Sequence, residues 1–380
     1  MSVEEILAGL VAIDSTSARS NVEIVSHLAA RAEALGLCAR LYPYTDEQGV
    51  KKLQLVAVYP KDFEDGGEVE LALVGHTDTV PFAPSWGEAL KLTERDGKLY
   101  GRGACDTKGF IAAALAALEE VDLARLARPV ALVLTADEEV GCLGAKRLAE
   151  ARPFRARHAV VGEPTSLRPM RAGKGYCLAE VVVRGREGHS AYPALGASAI
   201  TRAARLVTRI EAVAEELTAL RHDAFDPPHT TVNVGLISGG TAKNVIAGEC
   251  RFTLEWRPVP GQPPELAADL VRREAEHLRA SDEDFDCEVV VSRLDGGAET
   301  RGDAPLVAAL EGLTGQTAGT VSFGTEAPQM AELGADAVVF GPGDIRVAHR
   351  TGEFVPASEL RDCARILRRT IERFCGAGHQ

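Results

Sequence analysis

Val69-Glu70-Leu71-Ala72-Leu73-Val74-Gly75, followed by His76-Thr77-Asp78, is the stretch on which the fold turns. Its nearly unbroken apolar run is that of a strand buried on both faces, as in a sheet covered by helices. It ends in a histidine and an aspartate two residues apart, which share one side of an extended chain. Upstream lie a polar turn, Lys61 to Gly67, and a strand around Leu53–Tyr59. Residues 1 to 36 before them read as helix, carried by Ile6, Leu7, Leu10, Val11, Val22, Ile24, Val25, Leu28 and Leu35 and closed by Gly36. Downstream the pattern recurs. Asp106 to Gly109 lead into a small-residue helix, Phe110–Glu120, and Pro129–Ala136 and His158–Val161 are further buried strands. Strand alternating with helix predicts an α/β layered core.

From Gly173 the pattern changes. Cys177–Gly185 alternates as a strand, Gly196–Leu220 is an amphipathic helix, and Thr230–Ser238 and Glu249–Arg257 are strands. Pro264–Ala280 is a second helix and Phe285–Arg293 a last strand. The order β-α-β-β-α-β is that of ferredoxin-like modules. Helix at Pro305–Leu313, buried strand at Ala337–Phe340 and helix at Ala357–Phe374 then resume the first pattern. A domain of residues 1–172 and 294–380, with a second of residues 173–293 inserted in it, is therefore expected, and 380 residues suffice for two.

Composition narrows the function. Hydrophobic residues make up 46% and charged residues 26%, as in globular chains. The net charge of −13 repels polyanions, so no nucleic-acid partner is expected. No apolar run is long enough to span a bilayer, so no membrane partner is expected either. The acidic start, Met1-Ser2-Val3-Glu4-Glu5, lacks the features of a signal peptide. Eight scattered cysteines without a C-x-x-C pair read as reduced thiols of a cytoplasmic protein.

The chemistry gathers where buried strands end, the edge at which open α/β sheets bind ligands. His76 and Asp78 follow the first strand, and Asp106 precedes the helix at Phe110. Asp137-Glu138-Glu139 follow Ala131-Leu132-Val133-Leu134, and Glu163 follows Val160-Val161. Asp344 and then His349 follow Phe340. Each alone has an ordinary reading: a loop histidine with a capping acid, a helix N-cap, a solvated acidic turn. Together they supply two histidines and at least three carboxylates, a mixed nitrogen and oxygen set that suits zinc. Two ions about 3.5–4 Å apart need a bridging carboxylate, and one spare carboxylate can act as general base. Adjacent Glu138 and Glu139 offer that split. H-E-x-x-H, G-x-S-x-G, dinucleotide and phosphate-loop signatures are all absent, and Cys105 reads as a packed thiol.

Gly75-His76-Thr77-Asp78-Thr79-Val80-Pro81, Leu99-Tyr100-Gly101-Arg102-Gly103, Cys105-Asp106-x-Lys108-Gly109-Phe110, Asp137-Glu138-Glu139, Gly162-Glu163-Pro164-Thr165 and Gly188-His189-Ser190 occur in this order. The set resembles the two-metal aminoacylase and carboxypeptidase family over nearly the whole chain. The stretches Gly324-Thr325-Glu326-Ala327-Pro328 and Gly341-Pro342-Gly343-Asp344-Ile345 look like a deacetylase branch. The family's desuccinylases typically show Thr-Ser-Asp where Thr325-Glu326-Ala327 stands here.

The resemblance implies a mixed-sheet metallopeptidase-like catalytic domain, with the inserted ferredoxin-like module as dimerisation or lid domain. It implies two Zn2+ per subunit, with Co2+ possible, a homodimer, and metal-dependent hydrolysis of a small N-acyl amino acid or dipeptide. His76 and Glu163 would bind one ion, Glu139 and His349 the other, and Asp106 would bridge them. Asp78 would orient His76, and Glu138 would be general base and then acid. His189, by its residues alone a turn histidine, would reach the partner's site and hold the developing oxyanion. Asn244 and Arg257, with Thr325 and Glu326, would bind substrate. Three loops depart from the family pattern: Trp86 precedes Gly87-Glu88-Ala89-Leu90, Thr107 replaces a methionine, and Arg350-Thr351-Gly352-Glu353 replaces Gln-Pro-Asp-Glu.

Overall fold

The computed structural model describes residues 1–377. The chain forms two compact units. One comprises Met1–Arg171, Thr300–Gly319 and the chain from Thr325 onward; the other comprises Ala172–Glu299 and Thr320–Gly324.

The first unit is built on strands β1 (Cys38–Thr45), β2 (Lys51–Tyr59), β3 (Glu68–His76), β4 (Val130–Thr135), β5 (Arg155–Val161) and β6 (Asp336–Val339), ordered β1-β2-β4-β3-β5-β6. β3, β4, β5 and β6 run parallel, and β1 and β2 form an antiparallel edge. The sheet is mixed, and the apolar β3 lies in its centre, buried from Val69 to His76. Alternate side chains of that strand serve two cores. Leu71 and Leu73 pack with Leu7, Leu28, Leu115 and Leu367 on one face. Ala72 and Val74 pack with Leu148 and Met330 on the other. The helix Lys108–Glu120, made only of Ala, Leu, Ile and Phe between residues 110 and 118, is buried on every side from Lys108 to Leu118. It packs against Ala357–Cys375 and Val3–Val11.

The helical reading of residues 1 to 36 requires correction. Two helices, Val3–Val11 and Val22–Ala34, are separated by irregular chain. Polar side chains there bond elsewhere instead of continuing a helix. Ser15 Oγ donates to the Thr77 carbonyl at 2.6 Å, and Thr16 Oγ1 to Asp14 at 2.7 Å. The edge strand β1 and the helix Leu143–Ala151 are elements the periodicity did not suggest.

In the second unit, strands Tyr176–Arg184, Thr231–Gly239, Glu249–Arg257 and Asp286–Asp295 form an antiparallel sheet. Their spatial order is second, third, first, fourth. Helices Ala199–Leu217 and Leu266–Ser281 supply Leu206, Val213 and Val271 to a core with Phe252 and Trp256. The connectivity is the split β-α-β arrangement of ferredoxin-like modules. Among the described residues no helix is long and apolar enough to cross a membrane.

Gly162, between β5 and Glu163, lies against the buried ring of Phe110. A Cβ there would fall 2.1 Å from that ring. Gly162→Ala should therefore lower unfolding stability by about 1–3 kcal/mol, the usual cost of overpacking, read from urea midpoints. An unchanged midpoint would mean that the Phe110 ring moves aside freely.

Candidate metal centre

The register sets the site. His76 lies opposite Thr135, and Val161 lies opposite Val74 and Val339, so four parallel strands end nearly flush. The loops that leave these strands gather at one edge.

His76 is buried, and its Nδ1 lies 3.0 Å from the Asp78 backbone carbonyl. A carbonyl only accepts, so Nδ1 carries the hydrogen. The other nitrogen, Nε2, faces Asp106 Oδ1 at 3.0 Å. The second oxygen of Asp106 lies 3.0 Å from Nε2 of His349. That same nitrogen lies 3.1 Å from Glu139 Oε1 and 3.0 Å from Oε2. Each ring nitrogen thus meets carboxylate oxygens, which only accept when ionised, so a proton or a metal must stand at each contact. One proton on His349 would have to serve oxygens of two different carboxylates. A tetrahedral ion with bonds of ~2.1 Å holds neighbouring ligand atoms about 3.4 Å apart, close to these spacings. Ligand atoms of His76, Asp106 and Glu139 all lie within 4.8 Å of one another.

The electrostatics agree. Glu163 is buried and Glu138 half-buried in the same neighbourhood. Burial pushes the Glu138 carboxyl up to about 8; Glu139, Glu326 and Asp106 add repulsion and His76 opposes it. Glu163 is held well above the carboxylate range by burial first and by Asp106 and Glu138 next. Burial also disfavours the Asp106 carboxylate, but hydrogen bonds from His349 and His76 outweigh it and hold the group below its ordinary range. His349 is raised to about 10 by Asp106 and Glu139. Crowded carboxylates that disfavour one another's charge around two histidines fit divalent cations.

Asp78 acts at two points. Its backbone orients His76, while its carboxylate, 3.7 Å from Nδ1, accepts from the amides of Glu138 at 3.1 Å and Glu139 at 3.3 Å. Ser17 Oγ also donates to it at 2.8 Å. The loop carrying both glutamates is held from its other side too. Asp137, with φ of 58°, is buried and accepts from Lys52 Nζ at 2.7 Å and Tyr44 OH at 2.7 Å. Lys52 and Tyr44 had no motif to mark them. A lysine next to an apolar strand run was the only signal.

Thr325 and Glu326 lie in the first unit. Thr325 Oγ1 accepts from the Ala327 amide at 3.3 Å. Glu326 is buried, its Oε1 has no hydrogen-bond partner among the described residues, and burial raises it to about 7. His189, Asn244 and Arg257 belong to the second unit. His189 is exposed and pairs in register with Val245, and the Asn244 carbonyl accepts from the Ser190 amide at 3.1 Å. Arg257 lies over the Tyr176 ring at 4.5 Å, with its Nε donating to Glu255 at 2.7 Å.

Histidines and carboxylates converging on the carboxyl ends of parallel strands define a metal-dependent hydrolase. The chain belongs to Peptidase family M20/M25/M40, whose model matches residues 72–373. It is 56% identical over 97% of both chains to an acetylornithine deacetylase of Myxococcus xanthus. Its fold is similar to an M20 metallo-carboxypeptidase of Sulfolobus solfataricus, with TM-score 0.77, 17% identity and 98% and 99% of the two chains covered. It is likewise similar to a dinuclear metal-binding M20 peptidase of Bacillus subtilis, with TM-score 0.67, 14% identity and coverage of 97% and 98%.

Lys52→Met would leave the Asp137 carboxylate buried with only Tyr44. Breaking such a pair typically costs about 3–5 kcal/mol. Urea unfolding should show a loss of that order, and Lys52→Met with Asp137→Asn should recover part of it. Equal losses in the single and double variants would mean that the pair is not the source.

Proposed function

We propose that this protein removes the acetyl group from N2-acetyl-L-ornithine, giving L-ornithine and acetate, a step of arginine biosynthesis. The observation that carries this reading is the 56% identity, over 97% of both chains, to an acetylornithine deacetylase. The donor set of His76, Asp106, Glu139, Glu163 and His349 suits two Zn2+ per chain, with Co2+ as substitute. Asp106 would serve both ions, since its two oxygens face different histidines. When bound, such ions supply polarisation of the amide carbonyl and a water acidified towards neutral pH.

The chain's own residues would do the rest. Glu138, half-buried beside Glu139, takes a proton from the attacking water and passes it to the departing amine. Asp78 fixes the Glu138 and Glu139 amides, and with them the distance between base and ligand. We assign Arg257, with its planar fork, and Asn244 to the substrate carboxylate, and Thr325 and Glu326 to substrate binding more broadly.

We assign residues 173–293 to dimerisation and His189 to the oxyanion in the partner's site. In the second unit, Thr231–Gly239 is an edge strand whose Leu236 and Ile237 are 73% and 55% exposed, an apolar edge suited to a second copy. The eight cysteines, none of them in a disulfide among the described residues, suit a reducing, cytoplasmic setting.

The test is acetate release from a panel of acyl amino acids, with and without zinc or cobalt. Acetylornithine should give the highest kcat/KM, and activity should vanish in chelator. Preference for a succinylated substrate or a dipeptide would overturn the substrate assignment. Glu138→Gln should keep its metal and fold while kcat falls about 10²–10⁴-fold or more, since one group serves two proton transfers. Near-normal turnover in that variant, with turnover abolished in metal-replete Glu139→Gln, would reverse the two roles.

Trans action of His189 predicts complementation. His189→Ala should lower kcat roughly 10²–10³-fold. Mixing it with Glu138→Gln should restore activity towards about a quarter of wild type, since about half of the dimers would be mixed with one intact site each. No recovery after proven subunit exchange would place His189 outside the partner's site.

A further inference from the structure

The turn that delivers His349 does not end there. Gly352, with φ of 81°, brings the chain round, and Glu353 is fully buried. Glu353 Oε1 accepts from two consecutive backbone amides, Cys105 at 2.9 Å and Asp106 at 3.0 Å. Its Oε2 accepts from Arg102 Nη1 at 2.5 Å, and its backbone carbonyl accepts from the Gly101 amide at 3.1 Å. Arg102 is buried too, and its Nη2 donates to the Pro81 carbonyl at 3.3 Å. Within five residues, one segment therefore sets His349 3.0 Å from Asp106 Oδ2 and grips the peptide from which the Asp106 side chain hangs.

This carboxylate sits where it is electrostatically unwelcome. Burial raises its proton affinity, and the charge of Asp106 raises it further. The pair with Arg102 does not by itself require Glu353, because a buried ion pair replaced at both positions by apolar groups of similar volume often costs little. What an apolar replacement could not supply is an acceptor for two adjacent N–H groups. Two bonds to successive amides fix the backbone orientation at Asp106, and a buried amide without an acceptor is costly.

We propose that Glu353 is a positioning residue of the metal centre: by gripping the Cys105 and Asp106 amides it fixes the two oxygens of Asp106 between His76 and His349 at the spacing that two divalent ions require. The proposal rests on the reading of Asp106 as the ligand shared by both ions.

Two double variants isolate the acceptor. Arg102→Met with Glu353→Gln removes both charges but keeps an amide oxygen facing the two N–H groups. Arg102→Met with Glu353→Leu removes the charges and the acceptor together. Zinc affinity of the folded proteins is read by chelator competition, with zinc per chain counted after gel filtration and the cobalt absorption spectrum as a report on ligand geometry. The glutamine variant should bind both ions with close to wild-type affinity. The leucine variant should lose about 10–100-fold for at least one ion, the usual effect of removing a group that orients a ligand, and its cobalt spectrum should change. Glu353→Asp retains the charge and a partner for Arg102 but falls one methylene short of the amides, so it should show a loss in the same direction without depending on the neutral pair folding. If wild type binds zinc while all three variants bind it equally well, Glu353 is a structural residue only. If wild type itself takes up no zinc, the metal reading falls and this role with it.

Discussion

The constraint on which the first unit depends is the crowding of negative charge at one buried edge of its sheet. Asp106, Glu138 and Glu139 each disfavour ionisation of a neighbour, Asp106 and Glu163 are buried, and Glu138 and Glu139 are half-buried. Such a cluster is tolerable only if positive charge sits among it. Part of that charge comes from the chain. His76 and His349 face the carboxylates directly, Lys52 lies behind Asp137, and Arg102 lies behind Glu353. Cations held between ring nitrogens and carboxylate oxygens would supply the rest, and would couple metal binding to the folding of this edge.

The surrounding architecture keeps that edge from relaxing. Parallel strands with flush ends leave their loops no alternative place to go. The loops are pinned by backbone amides as much as by side chains: Asp78 holds those of Glu138 and Glu139, and Glu353 those of Cys105 and Asp106. Asp137 and His349 also adopt positive φ, at 58° and 59°. Non-glycine residues enter that region at a cost of about 1–2 kcal/mol each, so the hydrogen bonds at both positions offset a backbone preference that opposes them. Gly162 permits the close approach of Phe110 in the Asp106 helix to the strand ends, and Gly109 lets that helix start against its own loop, since a Cβ there would fall 2.5 Å from the Ala104 carbonyl.

The second unit obeys a different logic. Its sheet is buried on one face only, as the alternating exposure of Glu249–Arg257 shows, so it need not be wrapped on both sides. Its helices have polar outer faces, and their salt links, such as Arg209 with Glu274, are exposed and contribute little to stability. The stability of this unit comes from Trp256, Phe252 and their apolar neighbours, with no dependence on charge at its centre.

Most of the candidate metal centre could be proposed from the sequence because its residues follow strand ends, and a run such as Ala131–Leu134 announces both the strand and where it stops. His76, Asp106, Glu163 and His349 came from that rule and from family motifs. The ferredoxin-like order was equally visible, since amphipathic periods of two and 3.6 alternate cleanly between Gly173 and Arg293. The break after Val11 was not, because apolar periodicity on either side of residues 12–21 hides a segment whose serines and Asp14 bond outside any helix. Only the tertiary structure revealed how the centre is held. Lys52 meets Asp137 across 85 residues, His349 meets Glu139 across 210, and Glu353 reaches the Cys105 amide across 248. Those links join side chains to partners with no fixed spacing, and several end on backbone N–H groups that are alike in every residue but proline. Sequence by itself determined which atoms could bind a metal; the packing of distant segments decided which of them face one another.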